Sequence, residues 1–148
     1  MSSPVSVRRV RMADLDAIMK IERASFGPDA YERNLFAEFA RKCGGLFLVA
    51  LRGNTVIGYA IACVRLSRAE LISIAVRPQD RGKGAAPVLM DRILRRVRRR
   101  RATRFVLMVK VNNLRAQAFY EKYGFQKRRR VPGYYEDGAD GLLFVRLL

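Results

Sequence analysis

Histidine and tryptophan are absent from this chain. Without an imidazole, Ser-His-Asp and Cys-His catalysis are excluded, and any proton transfer falls to Asp, Glu, Tyr, Cys, Lys, water or the backbone. The two cysteines, Cys43 and Cys63, have no C-x-x-C spacing, and with no histidine to complete a ligand set a structural metal is not expected. No apolar run approaches the roughly 20 residues of a membrane span, and the opening Met1-Ser2-Ser3-Pro4-Val5 begins no stretch of signal-peptide length. The expectation is a cytoplasmic protein that does not engage a membrane. Acidic residues are scarce as well, 13 Asp+Glu against 30 Lys+Arg for a formal charge of +17. Such a surplus draws polyanions such as RNA, ribosomes or acidic peptides in a salt-dependent way, and it equally describes arginine spread over ordinary solvated faces.

What is present is enough for a core. At 148 residues and 50% hydrophobic, the chain suits one domain over residues 1–148 that needs neither disulfide nor metal. Val5 to Val10 alternates like a half-buried strand, and from Asp14 the residues Leu15, Ile18, Met19 and Ile21 repeat at helical spacing. Ser25 to Tyr31 is a turn through Gly27-Pro28, and Leu35, Phe36 and Phe39 make a second helix ending at Gly44-Gly45. Leu46–Leu51, the turn at Arg52-Gly53-Asn54, Thr55–Val64 and Leu71–Val76 read as a three-stranded meander. A helix is expected from Gly82 to about Arg101, a buried strand over Phe105–Val111, a helix over Asn113–Tyr123, and a closing strand pair from Phe125 and Leu142–Leu147. The order β-α-α-β-β-β-α-β-α-β-β implies an α/β (α+β) fold, with a mostly antiparallel sheet of about seven strands and four helices.

The informative segment joins a strand to a helix: Val76-Arg77-Pro78-Gln79-Asp80-Arg81-Gly82-Lys83-Gly84-Ala85-Ala86. Glycines there let the backbone approach a ligand, and free N–H groups at a helix start attract phosphate, so the segment suits a pyrophosphate. A dinucleotide fingerprint would need glycine where Pro87 stands, and a Walker A loop would need Ser or Thr after Lys83. Neither NAD nor ATP is expected by those routes.

Gln79-Asp80-Arg81-Gly82-Lys83-Gly84 resembles the Q/R-x-x-G-x-G/A signature of the GNAT acetyltransferases. Glu70 to Val76 before it, and Asn113, Ala116, Tyr120 and Gly124-Phe125 after it, resemble that superfamily in the same order. The resemblance implies acetyl-CoA as co-substrate. The amides of Arg81, Gly82, Lys83, Gly84, Ala85 and Ala86 would hold its pyrophosphate. Ile74, Ala75 and Val76 would flank it, with the Val76 N–H facing the oxyanion, and Asn113 would border it. Tyr120 would return a proton to the departing thiolate. On the residues alone, Tyr120 also reads as an aromatic packed on a helix face and Asn113 as a helix cap.

Within the superfamily the chain is most similar to the RimI-type protein N-terminal acetyltransferases. Gly133 to Asp140 resembles the loop whose tyrosines, here Tyr134 and Tyr135, line the peptide-amine site. Phe26 to Tyr31 resembles the loop that reads the first substrate residues, which implicates Phe26, Asp29 and Tyr31. One position departs: the Glu that serves that group as general base, twelve places before Tyr120, is Met108. A peptide α-amine has a pKa of about 7.7–8.0 and is partly neutral near pH 7.5, whereas lysine at about 10.4 is almost wholly protonated, so loss of a base harms lysine acetylation more. The expected substrate is therefore a protein N-terminus, its proton leaving through water assisted by Glu70 or Asp29. Two rivals stand: a lysine, polyamine or aminoglycoside substrate drawn by Glu136, Asp137 and Asp140, and a non-catalytic module whose Arg92–Arg104 cluster docks on RNA or the ribosome.

Overall fold

The computed structural model describes residues 4–148; Met1 to Ser3, which begin the segment read above for a leader, lie outside them. Seven strands form one sheet: β1 (Val5–Arg9), β2 (Phe47–Arg52), β3 (Thr55–Arg65), β4 (Arg68–Val76), β5 (Arg104–Lys110), β6 (Gln126–Val131) and β7 (Gly141–Leu147). Their spatial order is β1-β2-β3-β4-β5-β7-β6. All neighbours are antiparallel except β4 and β5, which are parallel because the helix between them carries the chain back across the sheet. The helices are α1 (Leu15–Phe26), α2 (Arg33–Lys42), α3 (Ala85–Arg99) and α4 (Leu114–Lys122). The expected element order is thus the observed one.

Two cores sandwich the sheet. Leu89, Met90, Ile93, Leu94 and Val97 of α3 recur at three- and four-residue spacing and bury against Leu48, Ala50, Ile57, Phe105 and Phe144 on one face, joined by Phe119 and Tyr120 of α4 and by Tyr123 just after it. Each such side chain contributes roughly 1.5–3 kcal/mol by leaving water. On the other face Leu15, Ile18, Met19 and Ile21 of α1 and Phe36 of α2 pack on Phe47, Val49, Tyr59 and Ile61. α1 stops where Gly27 takes φ 51° ahead of Pro28, a combination that cannot continue a helix.

Three expectations are corrected. α3 begins at Ala85 and not at Gly82, since Gly82 and Gly84 hold φ of 75° and 92°, outside helical space. β4 begins at Arg68, three residues before the expected Leu71, which puts Glu70 inside a strand. The core also contains a disulfide: Cys43 at the end of α2 bonds Cys63 of β3, with Cα atoms 5.1 Å apart. Sequence separation gave no hint of it because the packing of α2 on the sheet, and not local spacing, brings the two together. No helix among the described residues is long and apolar enough to cross a membrane.

Closing a loop of 20 residues reduces the entropy of the unfolded chain, so the double variant Cys43→Ser, Cys63→Ser is expected to lose on the order of 3 kcal/mol of unfolding free energy in urea titrations. A loss below about 0.5 kcal/mol would mean that α2 is held by its aromatic packing alone.

Candidate functional site

β4 and β5 pair only at Arg68, Ala69 and Glu70 with Arg104, Phe105 and Val106, and then separate. The cause lies in β4. Its register against β3 runs Ile61 to Ser73 and then Ala62 to Leu71, leaving Ile72 as an extra residue, and such a bulge bends and twists a strand. Leu71 consequently joins the core under α3, while Ile72 and Ala75 belong to the core under α1. Between the diverging strands lies a cleft of about 800 Å³. Gly58 of β3 allows the close approach that this course needs, since a Cβ there would stand 2.9 Å from the Ala75 carbonyl.

At the end of β4 the chain makes a 3-10 turn, Pro78–Asp80, then the loop into α3. Asp80 is buried and fixes the turn through ion pairs with Arg77 and with Arg52 Nε at 3.5 Å. Burial raises its pKa, and the hydrogen bond from Arg77 and the charges of Arg77 and Arg52 outweigh that, leaving it below the usual range. Arg81 donates to the Val76 carbonyl at 3.0 Å and to Ser25 Oγ at 3.1 Å, tying the loop to β4 and α1. Among the described residues, an added Cβ at Gly82 or Gly84 would meet nothing within 4 Å, and no side chain caps the first turn of α3. Open space beside unpaired helix-start amides is an anion cradle.

β5 and α4 form the opposite wall. Met108 and Lys110 line the cleft from β5, as do Asn113, Ala116, Phe119 and Tyr120 from the α4 region. Asn113 caps α4 through Oδ1, which accepts from the Ala116 amide at 3.1 Å. The Tyr120 ring packs edge-on against Phe125 and Phe144, at 5.9 and 6.5 Å between centroids. Burial, with a smaller effect from Tyr135, pushes its pKa well above the ordinary tyrosine value. A phenol so placed stays protonated at neutral pH and is a donor.

The mouth is built by two loops facing each other. Tyr31 and Asp29 come from the α1–α2 loop, and Tyr134 and Tyr135 from the β6–β7 loop, their rings edge to face at 5.0 Å. Lys110 joins the loops: Nζ lies 2.7 Å from Asp29, 2.6 Å from Asp137 and 5.3 Å from the centre of the Tyr135 ring. Burial raises Tyr135 to about 12. Behind Tyr31 is a buried carboxylate, Glu22. Its Oε1 accepts from Tyr59 Oη and from Ser73 Oγ at 3.0 Å, and its Oε2 accepts from the Tyr31 amide at 2.9 Å. Glu70 also lines the cleft, is exposed, and its side chain carries no hydrogen bond or ion pair to another described residue.

The cleft therefore gathers nearly every residue singled out from the sequence: Glu70, Ile74, Ala75 and Val76 on β4; Arg81, Gly82, Gly84, Ala85 and Ala86 at the start of α3; Asn113 and Tyr120; and Phe26, Asp29, Tyr31, Tyr134 and Tyr135 at the mouth. Lys83 is the exception, exposed and outside the lining. Met108, readable as core filler, faces the cleft. Asp29 and Asp137 are engaged by Lys110, and Asp140 is engaged by Arg130 at 2.5 Å and the Gly133 amide at 2.9 Å. Of the two carboxylates expected to assist proton removal, Glu70 is the one left unengaged. Sequence reasoning missed Glu22 and Lys110. Glu22 sits among the apolar repeats of α1, where a charge signals a buried partner. Lys110 follows Met108 by two positions and so shares its face of β5.

The sequence profile of the Acetyltransferase (GNAT) family matches residues 15–125. An N-alpha-acetyltransferase of Saccharolobus solfataricus is 33% identical over 97% of this chain and 93% of its own length. A putative ribosomal protein bS18-alanine N-acetyltransferase of Bacillus subtilis is 28% identical, covering 98% and 96%. Among solved structures, Ard1 from Thermoplasma volcanium superposes with a TM-score of 0.93 at 25% identity, over 97% of both chains.

Because both Glu22 oxygens are engaged, Glu22→Gln replaces an acceptor with a donor facing other donors. It is expected to cost on the order of 2–3 kcal/mol in urea unfolding, against under 0.5 kcal/mol for the exposed Glu70→Gln. Equal, small losses in the two variants would show that the Glu22 network contributes little.

Proposed function

This chain belongs to the GNAT acetyltransferase family and is an acetyl-CoA-dependent N-acetyltransferase, and we propose that the amine it acetylates is the N-terminal α-amine of a protein, ribosomal proteins included. The observation that carries this is the mouth. Three tyrosines frame it, while Asp29 in its lining and Asp137 and Asp140 of the β6–β7 loop are already paired with Lys110 and Arg130, which leaves Glu136 as that loop's exposed carboxylate without an ion pair among the described residues. A polyamine or aminoglycoside would need those carboxylates free. An extended peptide entering through its neutral terminus needs apolar walls and backbone partners instead. The named relatives, an N-alpha-acetyltransferase and a putative bS18-alanine N-acetyltransferase, support the same reading.

Coenzyme A fits the cleft on two counts: the open space at Gly82 and Gly84, and the uncapped first turn of α3. In this reading the amides from Arg81 to Ala86 hold the pyrophosphate, with Lys83 contributing its amide and charge from outside the cleft. Ile74, Ala75 and Asn113 border the coenzyme. The Val76 N–H stabilises the oxyanion formed when the amine attacks the thioester, an effect commonly worth a few kcal/mol. Glu70, in place of a base at Met108, accepts the amine proton through water, and Tyr120 Oη gives a proton to the thiolate. Phe26, Asp29, Tyr31, Tyr134 and Tyr135 hold the peptide, with Asp29 acting through Lys110 as a positioning residue. A cytoplasmic setting goes with this substrate. The Cys43–Cys63 bond then has to resist the thiol pool, as intracellular disulfides of hyperthermophiles do. The Arg-rich surface over Arg92–Arg104 provides for a ribosomal or other acidic partner.

Thiol release from acetyl-CoA with peptides bearing free N-termini, beside matched peptides blocked at the α-amine but containing lysine, tests the proposal. Turnover confined to free N-termini is the expected result, and turnover on the lysine peptides alone would overturn it. With no histidine to titrate, kcat/KM is expected to rise with unit slope to an apparent pKa of about 8, that of the substrate amine. Tyr120→Phe is expected to lower kcat on the order of 10²-fold and leave acetyl-CoA affinity unchanged, whereas Gly84→Val, forced off its φ of 92°, is expected to weaken that affinity.

A further inference from the structure

The end of the sheet opposite the cleft mouth is built from arginine. Three segments meet there. Arg68 pairs with Arg104 where β4 and β5 are still joined, the Thr103 amide donates to the Ser67 carbonyl at 2.7 Å, and the Leu148 amide donates to the Thr103 carbonyl at 2.9 Å. These contacts bring together the β3–β4 turn, the α3–β5 loop and the chain's last strand. Arg65, Arg68, Arg98, Arg101 and Arg104 are exposed, and Arg146 of β7 is half-buried. None of the six forms an ion pair with a carboxylate among the described residues. Beside them, Arg96 and Arg100 crowd Gly45: their guanidinium nitrogens lie 3.4 and 3.7 Å from where its Cβ would be. Burial first, and then the neighbouring charges of Arg92, Arg99 and Arg100, lower the Arg96 pKa; burial and Arg98 do the same to Arg146. Like charges are being held together at a cost in folding free energy, and an arriving anion would relieve it.

We propose that this arginine pole is a docking site for the sugar-phosphate backbone of RNA. The choice of partner follows from what the pole contains. A protein interface centres on a packed apolar or aromatic cluster. Here the exposed apolar side chains are Leu66 and Leu147, and no aromatic side chain is exposed among these segments. Without an aromatic platform, recognition rests on guanidinium contacts to the phosphates, which carry no sequence information. Guanidinium forks bind phosphate oxygens in pairs, which suits arginine over lysine. The pole lies at the far end of β4 from Val76 and the loops of the cleft mouth, so a bound RNA leaves that mouth open, while its Arg68 stands two residues from Glu70 of the lining. The proposal makes specific the acidic partner named above and does not depend on the acetyl-transfer reading.

Fluorescence anisotropy of the whole protein with a labelled 20-nucleotide duplex RNA of arbitrary sequence tests it, with polyglutamate and anionic lipid vesicles as competing ligands. Six phosphate contacts predict a log Kd against log salt slope with magnitude of about 5, and roughly 10³-fold weaker binding at 200 mM than at 50 mM salt. The triple variant Arg98→Glu, Arg101→Glu, Arg104→Glu is expected to reduce that slope by about 3 and weaken binding at least 100-fold at 50 mM salt, whereas Arg33→Glu on α2 leaves both nearly unchanged. Thermal unfolding of each variant reports folding without relying on enzyme activity, and the triple variant is expected to melt no lower than the parent. No RNA binding at 50 mM salt, equal binding by a folded triple variant, or tighter binding to polyglutamate or vesicles than to RNA would each overturn the proposal.

Discussion

The separation of β4 from β5 after three paired residues is the constraint on which the rest depends. Two parallel strands that stayed paired to their ends would fill the middle of the sheet with their own hydrogen bonds. The extra residue at Ile72 prevents this by turning β4 away, and it leaves backbone groups of Ile74, Ala75 and Val76 facing a cleft and not a neighbouring strand. Unpaired backbone of this kind is costly unless something completes it. A ligand that lies along the strand edge and pairs with it restores what the sheet gives up, so the same feature that opens the cleft also provides its binding groups.

Such an edge needs rigid supports on both sides, and the scarce carboxylates are placed to supply them. Asp80 fixes the turn after β4 through Arg77 and Arg52, and Asp14 fixes the approach to α1 by accepting from Arg8 and the Arg11 amide. Glu22 orients the Tyr31 backbone, and Asp29 and Asp137 meet at Lys110. Asp80, Glu22 and Asp29 belong to the cleft lining, whereas Asp14 holds the far end of α1 against β1. With Asp29 committed to Lys110 and Glu22 closed in by three donors, Glu70 is the exposed carboxylate of the cleft lining whose side chain has no partner among the described residues. Its place on β4, directly across from the disulfide residue Cys63, keeps it within the rigid part of the sheet.

Much of this was legible in the sequence, and where it was not the reason is physical. Every strand and helix announced itself, because two-residue and three-to-four-residue repeats report burial directly, as in Leu89 to Val97. The loop from Gln79 to Ala86 was legible through its glycines, although helical spacing tempted the start of α3 back to Gly82 until positive φ intervened. Illegible features all depend on distant partners. Cys43 and Cys63 meet only once α2 has docked, and Glu22 finds Tyr59 and Ser73 across 37 and 51 residues. Lys110 reaches Asp29 across 81 residues. Local patterning cannot encode such pairs, and the bulge at Ile72 is equally invisible, since one extra residue changes no composition.

The distribution of charge bears on how one small chain serves two surfaces. Carboxylates are concentrated on helices and around the cleft, while among the described residues none is paired to the pole formed by Arg65, Arg68, Arg98, Arg101 and Arg104. Arg68 and Val76 mark the two ends of β4, which at about 3.3 Å per residue are roughly 25 Å apart. That distance exceeds the Debye length of about 8 Å in physiological salt. An anion gathered at the pole therefore changes the potential at the Val76 end of the cleft little, whereas Glu70, two residues and about 7 Å from Arg68, lies within its reach. The same separation means that the positive pole adds little to the potential at Gly82 and Gly84, where the near cations are Arg81 and Lys83. Attraction at long range and recognition at short range are thus assigned to opposite ends of one strand.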